Sequence, residues 1–259
     1  MTDAFKKTAI VAAKTTGLLL KKNIDKAHRI EFKGAIDIVT EMDTKAENLI
    51  IKTLKNKFPD HGILTEESSE QKTDSEYRWI IDPLDGTTNY SHGFPVFCVS
   101  IALEKNGEII LGVVYNPMLN ELFTAEKGKG AYLNNKKIKV SAIAELNKSL
   151  LATGFPYDVR TSEQNNIANF ANFAVRAQAI RRAGSAALDM CYVACGRFDG
   201  FWELKLKPWD TAAAMLIINE AGGMVADFKG NPFSFYSGET LASNGLIHVE
   251  MINILQNKK

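Results

Sequence analysis

Two carboxylates three residues apart, Asp82 and Asp85, stand in Trp79-Ile-Ile-Asp-Pro-Leu-Asp-Gly-Thr-Thr-Asn-Tyr90, where a short apolar run gives out. Acids of this kind share hard cations such as Mg²⁺ through oxygen. Gly86 permits a tight turn and sets its amide beside those of Thr87 and Thr88. A helix starting there would offer free N–H groups and the positive end of its dipole to an anion. Cation-holding acids beside a seat for phosphate amount to the chemistry of metal-assisted phosphate-ester hydrolysis. The same Asp-Pro-x-Asp-Gly also spells an ordinary surface turn, so the other acids matter. Glu66 and Glu67 end the run Ile63-Leu-Thr65, a place where solvated acids are common. Asp43 falls at the head of a helix, where a plain N-terminal acid fits equally well. In Lys207-Pro-Trp-Asp210 the aspartate opens an alanine-rich helix, as an N-cap or as a metal ligand. Glu203, leaving a strand seven residues earlier, would lie near it.

The elements that must position these residues can be read from periodicity. A first helix is predicted over 3–22, with Phe5, Ile10, Ala12 and Leu18 apolar. A second runs from about Thr44 to Phe58, with Thr44-x-x-Glu47 as its capping box. Residues 32–40 pass from a loop into a short extended segment. The strand at 79–81 should leave its sheet at Pro83, which has no N–H to donate, and 68–77 reads as a mobile surface loop. Strands 96–104 and 108–115 form a hairpin through Lys105-Asn106-Gly107, and 121–126 adds a third. The lysine-rich 134–139 reads as a charged hairpin end. Beyond about residue 144 strands and helices alternate: 150–153, helix 164–176, 179–182, helix 185–196, 201–204, helix 211–221, 224–227 and helix 248–255. Trp209 is expected to be locked in a core. The pattern divides into an N-terminal α+β lobe over 1–144 and a C-terminal α/β lobe over 145–259.

A net charge of +1 gives no electrostatic reason to expect nucleic acid or an anionic membrane as main partner. No apolar run approaches the ~20 residues that span a bilayer, and no signal-peptide pattern stands at the N-terminus. Cys98, Cys191 and Cys195 make no disulfide framework, which suits a reducing cytoplasm. Histidines at 28, 61, 92 and 248 lack metal-ligand spacing, which disfavours zinc. The final lysines read as disordered.

Four separately spaced motifs together carry a family resemblance over nearly the whole chain. Asp82-Pro-Leu-Asp-Gly-Thr87 and Trp209-Asp-Thr-Ala-Ala213, with Gly222-Gly223 downstream, resemble the two signatures of the inositol monophosphatase family, lithium-sensitive magnesium-dependent phosphatases. Asp37-x-Val-Thr-x-x-Asp43 resembles its early acidic motif, and Thr65-Glu-Glu-Ser68 its glutamate motif. Leu151-Ala-Thr-Gly-Phe-Pro156 and Arg182-Ala-Gly-Ser-Ala-Ala-Leu-Asp189 resemble the bacterial inositol-1-monophosphatase branch. Differences at 205–207 and 155–166 surround the substrate, so they bear on its identity more than on the reaction.

The resemblance implies a five-layer αβαβα sandwich, mixed α+β and α/β, assembled as a homodimer. It implies hydrolysis of myo-inositol monophosphate with Mg²⁺ as cofactor and Mn²⁺ as a substitute. Glu66, Asp82 and the carbonyl of Leu84 would hold one ion, and Asp82, Asp85 and Asp210 a second; Glu66 would support a looser third. Thr87, with Glu66 and Asp43 behind it, would orient the attacking water. The amides of Gly86, Thr87 and Thr88 would meet the phosphate, with Lys33 lending charge. Ser185, Ala186 and Glu203 would face the polyol. The same scaffold serves fructose 1,6-bisphosphate, 3′-phosphoadenosine nucleotides and NADP, and a non-enzymatic interaction role is the further alternative. The expected partner is thus a small phosphate ester, with neither a membrane nor nucleic acid as primary ligand.

Overall fold

The computed structural model describes residues 2–34 and 36–256; the C-terminal lysines read as disordered lie outside them. In chain order the elements are α1 (Thr2–Asn23), β1 (Ile30–Phe32), β2 (Ile38–Thr40), α2 (Glu41–Lys55), β3 (Gly62–Thr65), β4 (Tyr77–Asp85) and α3 (Thr87–Ser91). Then come β5 (Cys98–Lys105), β6 (Glu108–Asn116), β7 (Glu121–Glu126), β8 (Ala131–Leu133), β9 (Lys136–Lys137), β10 (Leu150–Thr153), α4 (Ile167–Ala174) and β11 (Ala179–Arg181). The chain continues through α5 (Ala186–Ala194), β12 (Gly200–Leu204), α6 (Pro208–Glu220), β13 (Met224–Ala226), β14 (Glu239–Ser243) and α7 (His248–Gln256).

Alternation along the strands builds the layers. In the seven-stranded sheet, ordered β3 to β9, Ile63, Trp79, Ile81, Val99, Ile101 and Val113 point one way, against Phe5, Ala9, Ala12 and Leu20 of α1 and Met42, Ala46, Ile50 and Leu54 of α2. Their neighbours Ile80, Cys98, Ala102, Val114, Phe123 and Ala125 point the other way, onto α5 and α6. Strand side chains alternate faces with period two, so a sheet covered on both sides is apolar throughout. The far side of α5 and α6 packs on Ala152, Phe201 and Ala242 of the five-stranded sheet, ordered β11-β10-β12-β14-β13. The outer face of that sheet, through Leu151, Trp202 and Leu241, meets Phe173 of α4 and Met251, Ile254 and Leu255 of α7. The layers are thus αβαβα, as the resemblance implied.

The packing of α6 on the first sheet is close. A Cβ on Gly112 of β6 would lie 2.5 Å from the Ala213 carbonyl oxygen, so only glycine lets the helix approach this far.

Several local expectations are corrected. α2 begins at Glu41: Thr40 is its N-cap, accepting from the Met42 amide (3.1 Å), while Asp43 Oδ2 accepts from the Thr40 amide (2.8 Å). Thr40-x-x-Asp43 therefore takes the capping-box role assigned to Thr44-x-x-Glu47, and Glu47 instead accepts from Thr65 Oγ1 (2.7 Å). Leu18 of α1 is exposed, and Ala9, Ala13 and Leu20 are buried in its stead. β4 continues past Pro83: Asp82 pairs with Ser100 and Asp85 with Cys98, so a bulge absorbs the missing donor. The 68–77 stretch is tied down, Gln71 exchanging both backbone bonds with Ile63 (2.8 and 3.0 Å) and Glu70 pairing with Arg78 (2.6 Å). β14 was not foreseen. Pro208 opens α6 as its first residue, so Asp210 lies inside the first turn and is not the N-cap. Trp209 is only partly buried.

His61 stacks between Phe58 and Tyr77, both centroids 4.9 Å away, and its Nδ1 has no partner. Burial, with nearby Lys55 adding to it, pushes its pKa below the usual 6.5. His248, bonded through Nδ1 to Ser243 Oγ (2.8 Å), is lowered by burial alike. The unfolded chain therefore binds protons that the fold refuses, and this contribution to stability is complete above about pH 6.5 and lost as pH falls below it. The buried cavity acids, with raised pKa values, act in the opposite sense. The histidine effect is thus read as a difference: between pH 7.5 and 5, His61→Phe should lose less melting temperature than the parent. Parallel curves for the two proteins would rule His61 out.

Candidate active site

Six chain segments meet at one cavity of about 450 Å³. The β4 bulge supplies Asp82, Leu84 and Asp85, and the turn into α3 supplies Gly86, Thr87 and Thr88. Glu66 follows the end of β3, and Lys33 reaches in from the β1–β2 connection. The start of α5 brings Ser185, Ala186 and Asp189; β12 ends in Glu203; the first turn of α6 carries Asp210. All of these line the cavity.

Local folding explains each placement. Gly86 has φ +105°, and a Cβ there would lie 2.9 Å from the Val96 carbonyl oxygen, so the turn from β4 into α3 needs glycine on two counts. Asn89 in α3 donates to the carbonyls of Val96 (2.7 Å) and Ala183 (2.8 Å), binding the turn to the segment ahead of α5. Asp85 Oδ2 accepts from Ser185 Oγ (2.6 Å) and the Ala187 amide (2.8 Å), which seats an acid of the first sheet on the N-terminus of α5. Asp210 Oδ2 accepts from the Lys207 amide (2.6 Å), fixing the carboxylate in the first turn of α6. The Glu203 carboxylate lies directly over Gly154, where any Cβ would collide with it. Trp209, expected in the core, instead forms part of the cavity wall.

Asp43 is the one proposed site residue that does not line the cavity. It is buried behind it, and its Oδ1 accepts from Thr87 Oγ1 (2.8 Å). The Leu84 carbonyl oxygen is 3.1 Å from the same hydroxyl. With both neighbours able only to accept, the single Thr87 proton is held on the Asp43 side by the carboxylate's charge, and a lone pair is free on the hydroxyl.

The electrostatics are those of crowded acids. Burial pushes Glu66 up to about 7, with Glu67 and Asp43 adding to the rise and Lys33 opposing it. Asp82 is raised well above the usual range by burial and then by Glu66, Asp85 and Asp210. Asp85 and Asp210 are raised by burial as well. Lys33 Nζ lies 3.4 Å from Glu66 and 2.6 Å from Glu67, far too little positive charge for the acids gathered here.

Among the described residues, no three His, Cys, Asp or Glu side chains close on one point as a preformed metal site would. The cause is visible in the hydrogen bonds: Asp82 Oδ1 is turned to the Leu84 amide (2.9 Å), Asp85 to α5 and Asp210 to Lys207. One oxygen of each carboxylate is engaged in this way and the other is available. An all-oxygen donor set of mutually repelling acids fits a hard divalent cation and does not fit zinc or copper.

A model of the inositol monophosphatase family matches residues 1–259. The chain belongs to that family. It is 47% identical over 232 residues to an inositol-1-monophosphatase of Synechocystis, a match covering 89% of this chain and 81% of the relative. It is 45% identical to a Nus factor SuhB of Vibrio cholerae, over 91% of this chain and 90% of that one. Among solved structures, the extragenic suppressor protein suhB of Bartonella henselae superimposes with a TM-score of 0.93 at 40% identity, covering 99% of this chain and 100% of the other. Family membership makes the chain a phosphatase of small phosphate esters, in a family generally dependent on metal. No helix among the described residues is long and apolar enough to cross a membrane.

Asp189 lines the same cavity, yet the sequence reading gave it no role. The signal available was a lone acid inside the apolar helix Ser185-Ala-Ala-Leu-Asp-Met-Cys191.

Proposed function

We propose that the chain hydrolyses myo-inositol monophosphate to inositol and phosphate, using Mg²⁺, with Mn²⁺ able to replace it. The observation that carries this reading is the convergence of Glu66 after β3, Asp82 and Asp85 of β4, and Asp210 of α6 on one cavity beside the Gly86–Thr88 turn. Glu66, Asp82 and the Leu84 carbonyl would hold one cation and Asp82, Asp85 and Asp210 another, as the family resemblance implies. Bound there, the ions would supply Lewis-acid activation of water and charge neutralisation of phosphate and leaving oxygen.

The chain's own residues do the positioning. The Gly86, Thr87 and Thr88 amides bind the phosphate oxygens, and Lys33 adds positive charge at the Glu66 side. Thr87 Oγ1, its proton committed to Asp43, presents a lone pair that accepts a hydrogen bond from the attacking water and orients it. Glu66 and Asp43 stand behind Thr87 in that orientation. Ser185, Ala186 and Glu203 face the polyol. Fructose 1,6-bisphosphate, a 3′-phosphoadenosine nucleotide or NADP would use the same acids with different contacts at this end. A phosphate-release screen over inositol, sugar and nucleotide phosphates decides among them; release from nucleotides alone would overturn the inositol reading. The relative named Nus factor SuhB raises an interaction role on this scaffold, but retention of all four acids favours catalysis.

Glu203 and Asp210 should separate cleanly. Glu203→Ala should raise KM for inositol 1-phosphate by about tenfold or more, since a charge-assisted contact is worth about 1.5–3 kcal/mol. Asp210→Asn should shift the Mg²⁺ midpoint upward and lower kcat, because an amide is the poorer cation ligand. Separate titrations of substrate and Mg²⁺ read the two; a metal shift confined to the Glu203 variant would reverse the assignment.

A further inference from the structure

Buried polar atoms without a partner are rare, and Asp189 Oδ1 is one of them. The residue keeps 1% of its surface, sits one turn into α5, and lines the cavity together with Arg182, Ser185 and Glu203. Around it in the helix are Ala187, Leu188, Met190, Cys191 and Val193, all buried. A carboxyl placed there for stability alone would be expected to bond to the protein, and this oxygen does not. An acid near a helix N-terminus gains from the dipole, but that gain requires neither burial nor an opening onto the cavity.

The neighbourhood indicates what the carboxyl meets. Ser185, four residues earlier on the same helix face, is occupied by Asp85 through a 2.6 Å bond. Glu203 lies close enough to repel Asp189, and Arg182 close enough to offset part of that repulsion. Two acids and one arginine around one end of a pocket match a ligand rich in hydroxyl groups, each able to donate to a carboxylate and accept from a guanidinium. The proposed function seats the phosphate at the Gly86–Thr88 turn, which leaves this corner to the alcohol.

We propose that Asp189 is a specificity-determining residue, its carboxyl hydrogen-bonded to a hydroxyl of the polyol part of the substrate. The assignment rests on the polyol-phosphatase reading given above. It makes the neighbouring pair, Asp189 and Glu203, the receptor for adjacent hydroxyls. A phosphate ester without those hydroxyls leaves both acids buried and unpaired, and is rejected for that reason.

The test compares myo-inositol 1-phosphate with p-nitrophenyl phosphate, which carries no polyol, in the parent and in Asp189→Leu and Asp189→Asn, with melting temperatures of all three. Asp189→Leu should lower the ratio of kcat/KM for inositol phosphate to that for the aryl ester by at least about tenfold, mainly through KM. Asp189→Asn should recover part of the ratio. Both variants should melt at or above the parent, because an unpaired buried carboxyl is removed or neutralised. An unchanged ratio, or an equal loss on both substrates with a lowered melting temperature, would overturn the inference and leave the phosphatase reading standing. A parent protein that hydrolyses only the aryl ester, or neither compound, would overturn the polyol reading and this inference with it.

Discussion

Asp85→Asn should lower kcat by at least about 10²-fold while leaving the melting temperature of the metal-free protein unchanged or slightly raised. The substitution keeps the shape and an oxygen acceptor for Ser185 Oγ and the Ala187 amide, so the seat on α5 survives. What it removes is a negative charge crowded by burial and by the other acids of the cavity. In the metal-free state that charge is a burden; with cations present it becomes a ligand. Loss of activity and preserved stability are therefore expected together. If the variant unfolds with no catalytic defect beyond its loss of folded protein, Asp85 is a turn residue after all.

Metal removal should have the larger effect. Activity should vanish on treatment with EDTA and return on adding Mg²⁺ or Mn²⁺, while Ca²⁺, larger and looser in geometry, should restore it poorly. A second readout does not depend on turnover. Because Glu66, Asp82, Asp85 and Asp210 repel one another, a cation that binds only the folded protein should raise its melting temperature with concentration. The rise should shrink in Asp85→Asn and in Asp210→Asn. Full turnover in metal-free buffer would end the proposed mechanism, and a melting temperature indifferent to Mg²⁺ would remove the acids as its ligands.

Much of this site could be read from the chain because its parts are local signals. Asp82, Asp85 and Gly86 fall within five residues, and the strand, bulge and turn that aim them follow from Pro83 and from a glycine at φ +105°. Asp210 was legible for the same reason, through Pro208 and the alanine-rich helix behind it. The misreadings came from competition between similar patterns. Thr40-x-x-Asp43 and Thr44-x-x-Glu47 both spell a capping box, and only the contact from Thr65 to Glu47 decides that the later one is used elsewhere. β14 was missed because its partners β12 and β13 lie outside its own sequence neighbourhood, and Pro232, Ser234, Ser237 and Gly238 just before it read as loop. Asp189 could be seen as odd but not as functional, since nothing local says that Glu203 and Arg182 arrive beside it.

The contact of Gly112 with Ala213 also bears on how the molecule is made. The seven-stranded sheet is complete in sequence at Lys137, yet α6, which closes on it to within reach of a missing methyl group, starts only at Pro208. At about 5–20 residues per second a ribosome needs several seconds to cover that interval. Throughout it the apolar face formed by Ile80, Ala102, Val114 and Phe123 lacks its full cover; Asp85 lacks α5 for most of the interval and the acid on α6 for all of it. The nascent chain thus passes through a stage with a finished sheet, an open greasy side and no assembled active site, and this is the stage at which a holdase chaperone or a neighbouring copy would find it.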